Sequence, residues 1–181
     1  MRFGFPRQHP RLAGDCSRVP AVVQWTLTVD GRATGWLTRR FHEAWRYALL
    51  HTGARHRLLC PAYVLMPDRA HLLWIGLEAH GSDQRVAMGF LRRVVAPRLA
   101  PTRWQPRARD RVLREGQRSG GGLARVATSI FDHPVRAGLV ENRADYPFRG
   151  CCVPGYPNLE VADDDYWDQF WRIHRSLVDQ S

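Results

Sequence analysis

With 181 residues, 44% of them hydrophobic and 24% charged, the chain has an ordinary globular composition that excludes a disordered or fibrous protein and fits one domain better than two. Its formal charge of +10 comes from 27 basic residues, all of them arginine, against 17 acidic ones. No apolar run approaches the roughly 20 residues of a membrane span, and the first residues lack a signal-peptide core, so the expectation is a cytoplasmic protein with no membrane partner.

The basic residues are unevenly spread. Ten arginines lie between Arg92 and Arg125, where the only acidic residues are Asp110 and Glu115. Clustered guanidinium groups clamp phosphates bidentately and stack on bases, so this stripe points to nucleic acid; a merely solvated face would more often intersperse its signs. The four cysteines, Cys16, Cys60, Cys151 and Cys152, show no CxxC spacing, and the vicinal pair cannot join distant segments. A zinc ribbon or a disulfide scaffold is therefore not expected.

Residues 1–20 are rich in Arg, Pro and Gly without hydrophobic period and read as an arm preceding a domain over 21–150, with a C-terminal tail over 151–181. The β-branched segment from Val22 to Val29, closed by Asp30-Gly31, predicts a strand and a turn. Thr38 can cap a helix whose Phe41, Trp45, Ala48 and Leu49 share a face and which stops at Gly53. Two strands follow, within Arg57 to Met66 and Ala70 to Gly76, joined by a tight turn at Pro67-Asp68. A second helix is predicted from about Asp83, with Val86, Phe90, Leu91, Val94 and Val95 inward, ending at Pro97. The stretch from Arg107 to Arg114 reads as loop or short strand. Gly120-Gly121-Gly122 reads as a flexible hinge before a third helix carrying Leu123, Val126, Ala127, Ile130 and Phe131 and ending before Pro134. In the tail, Tyr166, Trp167, Phe170 and Trp171 have helical spacing and are expected to pack on the domain. This order predicts an α+β sandwich with a mainly antiparallel sheet.

Two stretches carry a further signal. Ala62-Tyr63-Val64-Leu65-Met66-Pro67-Asp68-Arg69-Ala70-His71-Leu72-Leu73-Trp74 resembles the segment of REP-associated tyrosine transposases, of the IS200-like HUH single-strand DNA transposase group, that carries two histidines separated by one hydrophobic residue. Trp104-Gln105-Pro106-Arg107, with His133-Pro134-Val135-Arg136-Ala137-Gly138-Leu139-Val140 and Asp145-Tyr146-Pro147-Phe148 downstream, is similar to that family's tyrosine-helix region. The family pattern there is tyrosine, three residues, asparagine, then Pro-Val. The resemblance covers roughly residues 20 to 150 and implies a ferredoxin-like HUH sandwich.

By resemblance, the family binds hairpins of single-stranded DNA and cleaves beside them. Two histidines hold a divalent metal, Mg or Mn, that polarises the scissile phosphate, and the tyrosine attacks it. The chain departs from this pattern at each step. Arg69 stands where the first histidine would be and, having no lone pair, cannot ligate a cation, so His71 is a remnant ligand and no cofactor is expected unless the family site still functions. Register on Pro134-Val135 puts Ser129 at the tyrosine position and His133 at the asparagine position.

The resulting expectation is a DNA-binding protein on a transposase scaffold, impaired in strand cleavage, taking single-stranded or hairpin DNA as a monomer or homodimer. Arg69, Arg92, Arg93, Trp104, Arg107, Arg109, Arg111, Arg114 and Arg125 are the candidate DNA contacts, Trp104 because an aromatic ring beside arginines suits single strands. One alternative is an active strand transferase in which Ser129 attacks, His133 is the base and Arg69 with His71 stabilises the transition state. Another is a protein-interaction module docking through the aromatic tail.

Overall fold

The longest apolar runs become the centre of the fold. β2 (Leu58–Met66) and β3 (Arg69–Gly76) pair antiparallel across the Pro67-Asp68 turn and are buried along almost their whole length. Strands covered on both faces need no polar alternation, which is why these read as continuous hydrophobic segments. β1 (Val22–Thr28) pairs with the other edge of β3, β4 (Arg109–Val112) with β1, and β5 (Arg149–Cys152) with β2. The result is one antiparallel sheet of order β4-β1-β3-β2-β5. These features belong to a computed structural model that describes residues 21–78, 82–118 and 120–179; the predicted arm and Cys16 lie outside them.

α1 (Arg39–His56) connects β1 to β2, and α2 (Gln84–Leu99) connects β3 to β4. With β1 and β2 flanking β3, this is the split βαβ order of a ferredoxin-like sandwich. The Thr38 hydroxyl accepts from the Phe41 N–H, satisfying a donor that the first helical turn leaves open. Phe41, Trp45, Ala48 and Leu49 bury the predicted face against Trp25, Leu72 and Trp74.

Gly53 does not end α1, which continues to His56 and closes at Arg57 in the left-handed region (φ 53°). A Cβ at Gly53 would lie 2.7 Å from the Leu58 carbonyl oxygen, so this glycine serves close packing of helix on strand. α2 starts after Asp83 as predicted, the Asp83 carboxylate accepting from the Arg85 and Val86 N–H groups, but of the predicted inward residues only Leu91 and Val95 are fully buried. Ala87, Met88, Leu91, Val95 and Leu99 are buried while Val86 and Val94 are exposed, and the helix runs through Pro97. The helix carries apolar residues on two stripes, and only contact with α1 decides between them.

The opposite sheet face is covered by α3 (Gly120–Phe131), the single turn α4 (His133–Arg136) and α5 (Tyr166–Val178). The predicted glycine hinge is instead the start of α3. Gly122 is buried, and a Cβ there would stand 2.5 Å from the Gly116 carbonyl oxygen. The predicted division at 150/151 falls inside β5, and the residues after it complete the second core. Phe170 is fully buried, and the Tyr166 hydroxyl donates to the Pro61 carbonyl at 2.6 Å. Among the described residues no helix is long and apolar enough to cross a membrane.

Candidate nucleic-acid interface

Alternation along β1 turns Trp25 and Leu27 toward α1 and α2 and leaves Gln24, Thr26 and Thr28 on the other face. Cross-strand register then assembles a polar strip. Thr26 stands between His71 of β3 and Arg109 of β4, Gln24 opposite Arg111, and Thr28 opposite Arg69. Directly opposed residues share a face, so these side chains emerge together. α3 packs over the apolar halves of β2 and β3, and the β1–β4 side stays partly open.

The open side contains a cleft of about 320 Å³ lined by Gln24, Arg111, Gln117, Arg125, Val126 and Ser129, with Gly122 in its wall. No carboxylate lines it. Arg111 leans on Gln24, its Nη1 lying 3.4 Å from the Gln24 Oε1. Arg107, Arg109, Arg114 and Arg125 are exposed, and the sheet brings Arg109, Arg111 and Arg125 to the same face.

At the adjoining corner, α4 carries His133 onto His71, with ring centroids 4.0 Å apart. The His71 Nδ1 shares a hydrogen bond with the Thr26 hydroxyl at 3.0 Å. The Arg136 guanidinium donates both to the Ser129 carbonyl and to the His133 Nδ1. Since arginine only donates, that ring nitrogen must carry a lone pair, and a neutral His133 then holds its proton on Nε2. Burial lowers the His71 pKa to about 3, assisted by His133 and the guanidinium groups of Arg69 and Arg136, against an opposing pull from Asp68. Burial likewise lowers His133 to about 4, assisted by Arg136 and Arg69 and opposed by Asp132. Both rings are neutral at pH 7.

The donors at this corner are few for a divalent cation. The Arg69 guanidinium, with Nε 2.8 Å from Asp68 Oδ1, brings a fixed positive charge to the position that the resemblance gives to the first metal ligand. The His133 ring that approaches His71 has its Nδ1 lone pair engaged, so it offers N–H rather than a donor atom for a cation. Among the described residues no cluster of three or more His, Cys, Asp and Glu side chains has the makings of a metal site.

Three predicted contacts lie elsewhere. Trp104 is buried, packed edge-on against Trp36 at 5.5 Å and tilted against Trp45 at 6.2 Å, so it has no face to offer a base; this corrects its assignment as a stacking residue. Arg92 and Arg93 sit on α2, on the other side of the sheet. Arg92 is committed to the carbonyls of Gln105 and Pro106, at 2.5 and 2.9 Å, holding the segment before β4. Conversely, Gln24, Thr26, Gln117 and Arg136 were not among the candidates. Alternation pointed to the first two, and Arg136 lies one helical turn from His133, but the signal for Gln117 is purely tertiary.

No family model matches the sequence, and no curated protein matches it. Among solved structures, the chain is similar to a REP-associated tyrosine transposase bound to a REP hairpin, with a TM-score of 0.61 and 19% sequence identity over 82% of each chain. The polar sheet edge, the paired rings and the arginine-lined cleft are thus carried by a fold similar to that of a REP-associated tyrosine transposase.

Proposed function

We propose that this protein binds single-stranded or hairpin DNA along the open β1–β4 face and does not cut it by metal-assisted chemistry. The observation that carries the reading is the cleft lined by Arg111 and Arg125, with Arg109 on the same strand as Arg111 and no lining carboxylate. A groove with that charge tracks a phosphodiester backbone, while the Gln24 and Gln117 amides can hydrogen-bond unpaired base edges. The hairpin bound by the transposase of like fold supports the same class of ligand.

Ser129 lines this cleft, yet its neighbour cannot serve it as a base. The His133 Nδ1 lone pair is taken by Arg136 and the other ring nitrogen carries the proton. The reading therefore is binding without strand transfer. Burial of Tyr166 and Phe170 of α5 weighs against the interaction-module alternative, leaving it only the partly buried Trp167 and Trp171 of that tail.

The test is fluorescence anisotropy with a labelled oligonucleotide that has a hairpin and single-stranded flanks, at several salt concentrations. Affinity should fall linearly in log–log form as salt rises, because each neutralised phosphate releases counterions. Absent or salt-insensitive binding rejects the reading, and a nicked strand or covalent adduct with Mg²⁺ or Mn²⁺ rejects its second half.

A further inference from the structure

We propose that the corner formed by Arg69, His133 and Arg136 is a metal-independent site for a tetrahedral phosphate oxyanion. The inference deepens the DNA reading and depends on it only for where the phosphate comes from. It starts from the donor inventory. Each of the three side chains that form the corner has hydrogen-bond donors to give. Arg136 spends N–H groups on the Ser129 carbonyl and the His133 ring and meets no carboxylate among the described residues. His133, held in one tautomer by that contact, has its Nε2–H left to give. The Arg69 guanidinium uses Nε for Asp68 and makes no other hydrogen bond among the described residues, so its two terminal nitrogens remain for a ligand.

The charge balance agrees with the geometry. Asp68 is shared by Arg32 and Arg69, and Asp132 pairs with Arg143, so two carboxylates face four guanidinium groups once Arg136 is included. Both histidines stay neutral in this field, and none of the groups compensates the excess. Two planar forks and one imidazole N–H supply the spread of donors that a tetrahedral oxyanion takes up, which a planar carboxylate would use less fully. The corner also adjoins the cleft. Ser129 lines the cleft and its carbonyl receives Arg136, so a strand lying in the cleft could deliver one of its phosphodiesters here.

The experiment follows the ring signals of ¹⁵N-histidine-labelled protein by NMR while inorganic phosphate is added in EDTA at pH 7.5. A saturable shift of the His133 and His71 signals is expected, weakened roughly tenfold in Arg136→Met and in Arg69→Met and unchanged in Arg93→Met. Because Arg136 also caps the end of α3, Arg136→Lys is included; it keeps the charge, loses the fork and should bind with intermediate strength. The site is overturned if phosphate gives no saturable shift, if Arg69→Met and Arg136→Met both leave the shift intact, or if the shift requires Mg²⁺ or Mn²⁺. Hairpin binding in parallel separates the two readings. Hairpin binding without phosphate binding rejects this site alone, whereas phosphate binding without hairpin binding supports the site with free phosphate as its ligand and rejects the DNA reading.

Discussion

Arg136 engages the His133 Nδ1 and so fixes which nitrogen of that ring carries the proton. Protonating His133 would place an N–H⁺ where Arg136 now donates, so the pair resists acidification together. The sign follows from linkage. A histidine whose folded pKa is depressed to about 3 or 4 is neutral when folded, while its unfolded counterpart takes up a proton near pH 6.5. The unfolded state binds more protons in that window, so this contribution to stability is complete above pH 6.5 and drains away as pH falls toward 4. Ring NMR should show His71 and His133 still unprotonated at pH 5.5, and a midpoint near 6.5 for either would refute the buried arrangement. On the DNA side, Arg111→Gln and Arg125→Gln should each weaken oligonucleotide binding with little regard to sequence and lower the salt slope by about 1. Arg93→Gln, on the far side of the sheet, should change the slope less. Ser129→Ala should leave affinity within about twofold, since a serine hydroxyl at an exposed position contributes at most one neutral hydrogen bond.

At the scale of elements, what could be read from the chain depended on how many faces each segment presents as apolar. α1 was legible because Phe41, Trp45, Ala48 and Leu49 form its one apolar stripe and Thr38 marks its start. The inward face of α2 was not, since Val86, Phe90 and Val94 form a second stripe that periodicity cannot rank against Ala87, Leu91 and Val95. β5 escaped because Arg149-Gly150-Cys151-Cys152 is four residues long, and its strand character comes from pairing with Cys60, Tyr63 and Val64. The glycine run before α3 shows the same limit. Composition reads it as a hinge, yet the backbone of Gly116 and Gln117 lies against Gly122. Gly122→Ala should therefore cost about 1–3 kcal/mol in urea unfolding despite its gain in helix propensity, because the obstructing atom is backbone and must shift. The same substitution should weaken oligonucleotide binding, since Gly122 forms the wall of the cleft. A stabilised variant would mean that the loop over Gly116 yields easily and does not shape the cleft.

Across the molecule, the sheet divides labour by face and by edge. Its central strands are apolar on both sides, so two cores form, and the polar edge is left where α3 ends its coverage of the β1–β4 side. The α+β sandwich was accessible from the alternation of strand and helix signals and its ferredoxin-like order only from the resemblance, whereas the second core depends on α5, whose partners on β2 lie about a hundred positions earlier in the chain. The chain closes its second layer with that helix, so residues beyond 150 are not an appendage that a partner could capture without cost. Phe170 decides this, because it is fully buried and sits among Tyr166, Trp167 and Trp171 at centroid separations of 5.5 to 6.1 Å. Truncation to Phe170→Ala removes a buried ring and leaves a cavity, for which about 3–5 kcal/mol is the usual loss. That should appear as a lower urea midpoint with hairpin affinity unchanged under folding conditions, because Phe170 does not line the cleft. Tyr156→Ala, on an exposed loop side chain, should alter the midpoint far less. If Phe170→Ala were as mild as Tyr156→Ala, α5 would be an attached tail rather than part of the core, and docking of a partner protein on it would again be open.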